Sequence, residues 1–145
     1  AALLGLPAIA VNLVRGDGMD YAAAAAVTAA IVRGLGRDGI ARGTFLNVNV
    51  PPLPLERLRG LRLTRQDIRA PLHTYAKGAS ADSTTEYLPG WEHLGPADPD
   101  TDIWAVRNGF VSVSVFGIDQ SAGAAPAASL AVRRLERTID FGLIR

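Results

Sequence analysis

The chain has 145 residues, 48% of them hydrophobic and 20% charged, with a formal net charge of +1. That is enough chain for one domain with a real core, and the composition is that of a globular protein. The near-neutral charge excludes a general electrostatic pull toward nucleic acid or anionic lipid, and the absence of cysteine excludes disulfides, thiolate metal sites and cysteine nucleophiles.

Ala1-Ala2-Leu3-Leu4 reads as the last turn of a helix, stopped by Gly5 and Pro7. A helix ending there begins before residue 1, so the expectation is a piece of a longer protein; a frayed apolar terminus is the alternative. The apolar start has no basic region and is broken by Gly5 and Pro7, so it suits neither a signal peptide nor a membrane span. A cytoplasmic location is expected, with no membrane and no nucleic acid as partners.

Ala8–Leu13 is a continuous apolar run, suited to a parallel strand buried on both faces. Arg15-Gly16-Asp17-Gly18 is a turn, and Asp20 is placed to cap an Ala-rich helix from Tyr21 to about Arg33. Val27 and Ile31 mark its buried stripe, and Gly34, Gly36 and Gly39 end it. In Phe45–Val50, Leu46, Val48 and Val50 alternate with Asn47 and Asn49, and Pro51-Pro52 stops the strand. Strand, helix, strand with short joints predicts a βαβ unit and a parallel α/β sheet. Leu53–Leu58 suggests one helical turn, and Leu61–Arg65 a half-exposed strand.

Residues 66–100 are polar and rich in Pro, Gly, Ser, Thr and Asp, which predicts an arm or lid. Leu72–Ala76 and Thr84–Leu88 can pair as a hairpin around a Gly78–Ser83 tip. Tyr87 and Trp91 suggest that it packs against something. His73 and His93 are the only histidines; a metal or acid–base role is conceivable, and exposed surface is their commoner fate. A short helix, Ile103–Asn108, starts at Thr101-Asp102 and stops at Gly109. Phe110–Val115 is a strand with serines on one side. Gly117–Pro126 is a joint before a helix from Ala127 to about Phe141, with Leu130, Leu135 and Ile139 apolar and Arg133, Arg134 and Arg137 mostly elsewhere.

Chemistry-bearing patterns are scarce. Walker, Gly-x-Ser-x-Gly and His-Glu-x-x-His motifs are absent, and no Gly-x-Gly-x-x-Gly fingerprint joins a strand to a helix; Gly34, Gly36 and Gly39 have that spacing but end a helix. Asp98, Asp100 and Asp102 can ligate a hard cation, but a solvated turn with Asp102 as N-cap is the more ordinary reading. Asn47 and Asn49 can orient a polar ligand or satisfy nearby backbone. Asn12 lies at the carboxyl end of a predicted parallel strand, where ligands of open α/β sheets sit. Asn12, Asn49 and Asp102 are thus the candidate substrate-binding residues; no catalytic or metal-ligating residue is assigned.

Three stretches resemble the stationary-phase survival protein SurE family, in order and spacing. They are Leu4-Gly5-Leu6-Pro7-Ala8-Ile9-Ala10-Val11; Gly43-Thr44-Phe45-Leu46-Asn47-Val48-Asn49-Val50-Pro51, running on to Gly60–Gln66; and Thr101–Ser114. The resemblance implies the C-terminal part of a Rossmann-like three-layer α/β fold. Residues 1–65 then form the remainder of the core, 66–100 a projecting β-hairpin arm or lid, 101–118 a helix and strand returning to the core, and 119–145 a C-terminal helix, possibly swapped between subunits. It also implies hydrolysis of nucleoside 5′- and 3′-monophosphates with magnesium or manganese, and a homodimer or tetramer assembled through arm and C-terminal helix. The family's Asn-Asp-Asp-Gly metal motif, its further Ser and Asn ligands and its Ser-Gly-Thr loop do not occur here and would lie before Ala1. The chain alone is therefore expected to hold no metal and to be inactive. The alternative is a non-catalytic assembly or binding module derived from the same fold.

Overall fold

The computed structural model describes residues 2–17, 19–37, 39–69, 72–81, 84–92, 96–117 and 126–141. A 3-10 turn at Ala2–Leu4 ends at Gly5, whose φ of +73° is the left-handed stop expected of that glycine. Then come β1 (Ala8–Leu13), α1 (Tyr21–Leu35), β2 (Thr44–Val50), a 3-10 turn at Leu55–Arg57 and β3 (Leu61–Thr64). After these follow β4 (Leu72–Ala81), β5 (Thr84–Glu92), α2 (Asp102–Arg107), β6 (Val111–Gly117) and α3 (Pro126–Thr138).

Four strands form one sheet in the order β1-β2-β6-β3. The β1–α1–β2 unit is parallel, with Ala8 opposite Phe45 and Leu13 opposite Val50. The sheet is mixed rather than parallel throughout, because β6 enters between β2 and β3 running antiparallel to β2 and parallel to β3. Register puts Leu46, Val48, Val50, Val111, Val113 and Val115 on one face. There they form a single core with Val27 and Ile31 of α1 and Val132 and Leu135 of α3. The small helix α2 covers the opposite face against β6. Mixed sheet and helices on both faces make this a Rossmann-like α/β architecture.

Several local expectations are corrected by packing. β1 is not buried on both faces: it lies at a margin of the sheet, and Val11 is 38% exposed. Helix α1 runs past Gly34 to Leu35, and Gly36 caps it. Gly34 stays inside the helix because α3 crosses there; a methyl group on it would sit 2.4 Å from Leu135 Cδ2. The serine side of β6 is buried as well: both Ser112 and Ser114 hydroxyls lie 2.8 Å from Thr64 Oγ1. Beneath α2, the three hydroxyls satisfy one another. Leu130 does not join the buried stripe of α3 and is 67% exposed; Val132 and Leu135 supply it instead. Thr101, not Asp102, caps α2, with Oγ1 accepting from Trp104 N at 3.3 Å.

The hairpin β4–β5 is longer than its apolar pieces suggest, pairing from Leu72 opposite Glu92 to Ala81 opposite Thr84, with a register shift between Lys77 and Ser80. It packs chiefly on itself. Its turn at 82–83, the joint at 118–125, His93 and the side chains of His73 and Trp91 lie outside the described residues.

Candidate functional site

Parallel pairing places the carboxyl ends of β1 and β2 side by side, and Val14 N continues the ladder to Val50 O at 2.9 Å. Asn12 and Asn49 are opposite each other in that register. Their side chains leave on the α2 face, because Leu46, Val48 and Val50 take the other. Asn12 Nδ2 donates to Asn49 Oδ1 at 3.2 Å. One amide oxygen and one amide nitrogen of the pair have no partner among the described residues.

α2 closes over this end of the sheet. Between it and the strands lies a cleft of about 240 Å³ lined by Val14, Asn49, Asp102, Ile103, Val106 and Arg107. The fold thus brings together the three residues singled out from sequence: Asn49 and Asp102 line one cleft, and Asn12 holds the Asn49 amide. Asn47 lies one pleat earlier, opposite Ser114, and does not line it. Arg107 is the residue that sequence reasoning missed. The sequence marks it only as a helix residue; its position in the last turn of α2 brings it to this cleft.

Asp102 also fastens the root of the arm. Its Oδ1 accepts from Ile103 N at 2.8 Å and from Asp67 N at 2.9 Å. Around it, Arg65 N donates to Asp100 O at 3.0 Å and Asp102 N to Arg65 O at 3.0 Å. Arg69 donates through Nη2 and Nε to the Asp67 carboxylate at 2.6 and 3.0 Å, and through Nη1 to Pro96 O. The side-chain and backbone hydrogen bonds from Arg69 hold the Asp67 carboxyl well below the usual carboxylate range, and Asp67 in turn raises the Arg69 guanidinium. Oδ2 of Asp102 and the Arg107 guanidinium, both on residues that line the cleft, have no hydrogen-bond or ion-pair partner among the described residues.

These residues do not fit a resident divalent cation. Among the described residues no three His, Asp or Glu side chains gather. In the acidic turn, Asp98 lies 3.6 Å from Arg65, Asp100 contributes its backbone, and Asp102 binds two amides. What the cleft offers is hydrogen-bonding groups of both kinds and one charge of each sign, a set suited to a neutral polar ligand part rather than to a metal. Among the described residues no helix is long and apolar enough to cross a membrane.

The family model for survival protein SurE matches residues 1–71. A protein named 5′/3′-nucleotidase SurE from Salmonella arizonae is 41% identical over 128 residues, covering 84% of this chain and 48% of the relative. One of the same name from Erwinia tasmaniensis is 43% identical over 125 residues, with the same coverage. The crystal structure of the SurE protein from Aquifex aeolicus superposes with a TM-score of 0.68 at 34% identity, covering 81% of this chain and 48% of that one. The chain therefore spans about half the length of the relatives it matches, and by family model, sequence and structure together it is similar to proteins of the SurE family over that part.

Proposed function

We propose that the chain is part of a metal-dependent nucleotidase that hydrolyses nucleoside 5′- and 3′-monophosphates. The observation that carries this reading is the cleft at the carboxyl ends of β1 and β2, where the Asn12–Asn49 pair, Asp102 and Arg107 meet. Such an edge is where open α/β sheets take ligands. Names of relatives at 41–43% identity support the phosphate-ester chemistry. In this reading the magnesium or manganese ion is held by residues outside the described chain. It would supply an activated water and charge compensation for phosphate.

This chain's residues do the rest. Amides of Asn12 and Asn49, with the free oxygen of Asp102, hold the nucleoside part by hydrogen bonds. Arg107 adds a cation at the rim. The arm and α3 serve assembly into a homodimer or tetramer, and the setting is cytoplasmic. The lone chain does not hydrolyse nucleotides.

A second reading is a non-catalytic assembly module, favoured by one feature. The β4–β5 hairpin packs chiefly on itself and exposes Tyr75, Tyr87 and Leu88. Two-stranded hairpins are marginal in water without a partner surface. Phosphate release from nucleoside monophosphates decides between the two. The full-length gene product should release phosphate only with a divalent cation, and this chain should release none. A folded full-length product that stays inactive with magnesium and manganese would leave the assembly reading.

A further inference from the structure

A second cleft, about 510 Å³, opens at the β3 margin of the sheet. Its walls come from the segment leading into β3, from Phe110 and from the end of α3. Phe110 is buried, and two guanidinium groups sit on its ring: Arg59 Cζ lies 4.7 Å and Arg62 Cζ 4.8 Å from the centroid. Trp104 stacks on the same residue, with centroids 6.2 Å apart and planes 11° from parallel.

Two cations sharing one ring repel each other, so the arrangement calls for an anion. A stacked guanidinium uses its flat face and leaves its N–H edge free. Arg59 gives one N–H to Asn108 O at 3.2 Å. Neither Arg59 nor Arg62 has an ion-pair partner among the described residues. Arg137 lines the same cleft, as do two carboxylates, Glu136 and Asp140. Glu136 is engaged with the amide of Leu63, and Asp140 also has a partner. The remaining walls, Leu58, Leu61, Ile139 and Phe141, are apolar.

We propose that this cleft binds an organic phosphate monoester, its phosphate held by the N–H edges of Arg59 and Arg62 and its organic part against the apolar wall. Arginine edges match phosphate oxygens in pairs. The inference stands apart from the nucleotidase reading, because it uses no residue of the Asn49–Asp102 cleft.

Phenyl phosphate is the probe, with Trp104 fluorescence as the signal in a Trp91→Phe background of the full chain. Saturable binding is expected, weakened about tenfold or more in Arg59→Gln/Arg62→Gln, as loss of charge-assisted hydrogen bonds implies. Inorganic phosphate should bind more weakly than phenyl phosphate, and sodium chloride at equal ionic strength should give no change. Arginine side-chain NMR of the parent guards against a variant that fails to fold: phenyl phosphate should shift the Nε–H resonances of Arg59 and Arg62. Resonances that stay still, or inorganic phosphate binding as tightly as the ester, would overturn the proposal.

Discussion

Asn12 and Asn49 stand opposite each other across β1 and β2, and the 3.2 Å hydrogen bond from Asn12 Nδ2 to Asn49 Oδ1 sets which amide atoms face the cleft. Asn12 is therefore an orienting residue and Asn49 a lining one. On the proposed nucleotidase reading, Asn49→Ala in the full-length protein should lower kcat/KM for nucleoside monophosphates about three- to tenfold, the worth of one hydrogen bond, with most of the change in KM. Asn12→Ala should act in the same direction, and the double variant should cost less than the sum, since both act through one pair. Additive effects in steady-state kinetics would separate the two residues.

Asp102 joins the cleft to the arm, because one carboxylate oxygen accepts from Ile103 N in α2 and Asp67 N at the arm root. Asp102→Ala should destabilise by about 1–3 kcal/mol, the cost of stranded amides. Asp102→Asn keeps an acceptor and should cost less. Urea unfolding gives the magnitude, and faster hydrogen exchange at the Asp67 amide locates it. Unchanged exchange at that amide would contradict the link.

Glu136 guards the open margin of the sheet. It reaches from α3 to accept from Leu63 N, an edge amide that meets no strand on that side among the described residues. Removing it with Glu136→Ala should cost about 1–3 kcal/mol, whereas Glu136→Gln, which retains an acceptor oxygen, should cost clearly less. Equal unfolding midpoints for Ala and parent would show that water replaces the carboxylate without penalty.

Acid should loosen the arm root through Asp67, whose carboxylate is 2% exposed and bonded to Arg69. Its folded pKa is depressed, so its stabilising contribution is present above the ordinary carboxylate value of about 4 and is lost as pH falls below it toward the folded value. Arg69→Gln should return the Asp67 titration toward that ordinary value and flatten this part of the acid limb. Carboxyl NMR reads it directly; an ordinary midpoint in the parent protein would refute the assignment.

Self-association is expected of the isolated chain. Leu3, Leu4, Leu6 and Val11 are exposed beside or on β1, whose outer edge pairs with no strand among the described residues. Such edges template further pairing. Sedimentation should show concentration-dependent association. A monomer that melts cooperatively would contradict it.

Short-range physics made much of the chain legible from residues alone. Pro51 and Pro52 cannot donate to a ladder, so β2 ends at Val50. The φ of +78° at Gly109 is the left-handed stop its sequence context called for. Asp20 caps α1 by accepting from Ala22 N at 2.8 Å. Asn12, Asn49 and Asp102 are individually visible as polar groups at element ends, and the resemblance to the SurE family rests on ordered stretches of sequence.

Sidedness and strand order were decided only by tertiary structure. Alternation says that Ser112 and Ser114 share a face, but not that α2 and Thr64 will bury it. Helical spacing makes Leu130 and Leu135 equally apolar; only the crossing of α1 and α3 at Gly34 buries one and leaves the other in water. The same holds for Arg107 at the cleft and for Arg59 and Arg62 on Phe110. Periodicity and capping act over a few residues, whereas β6 meets β2 and β3 across long stretches of chain. That order is fixed by which arrangement buries the most apolar surface once the loops close.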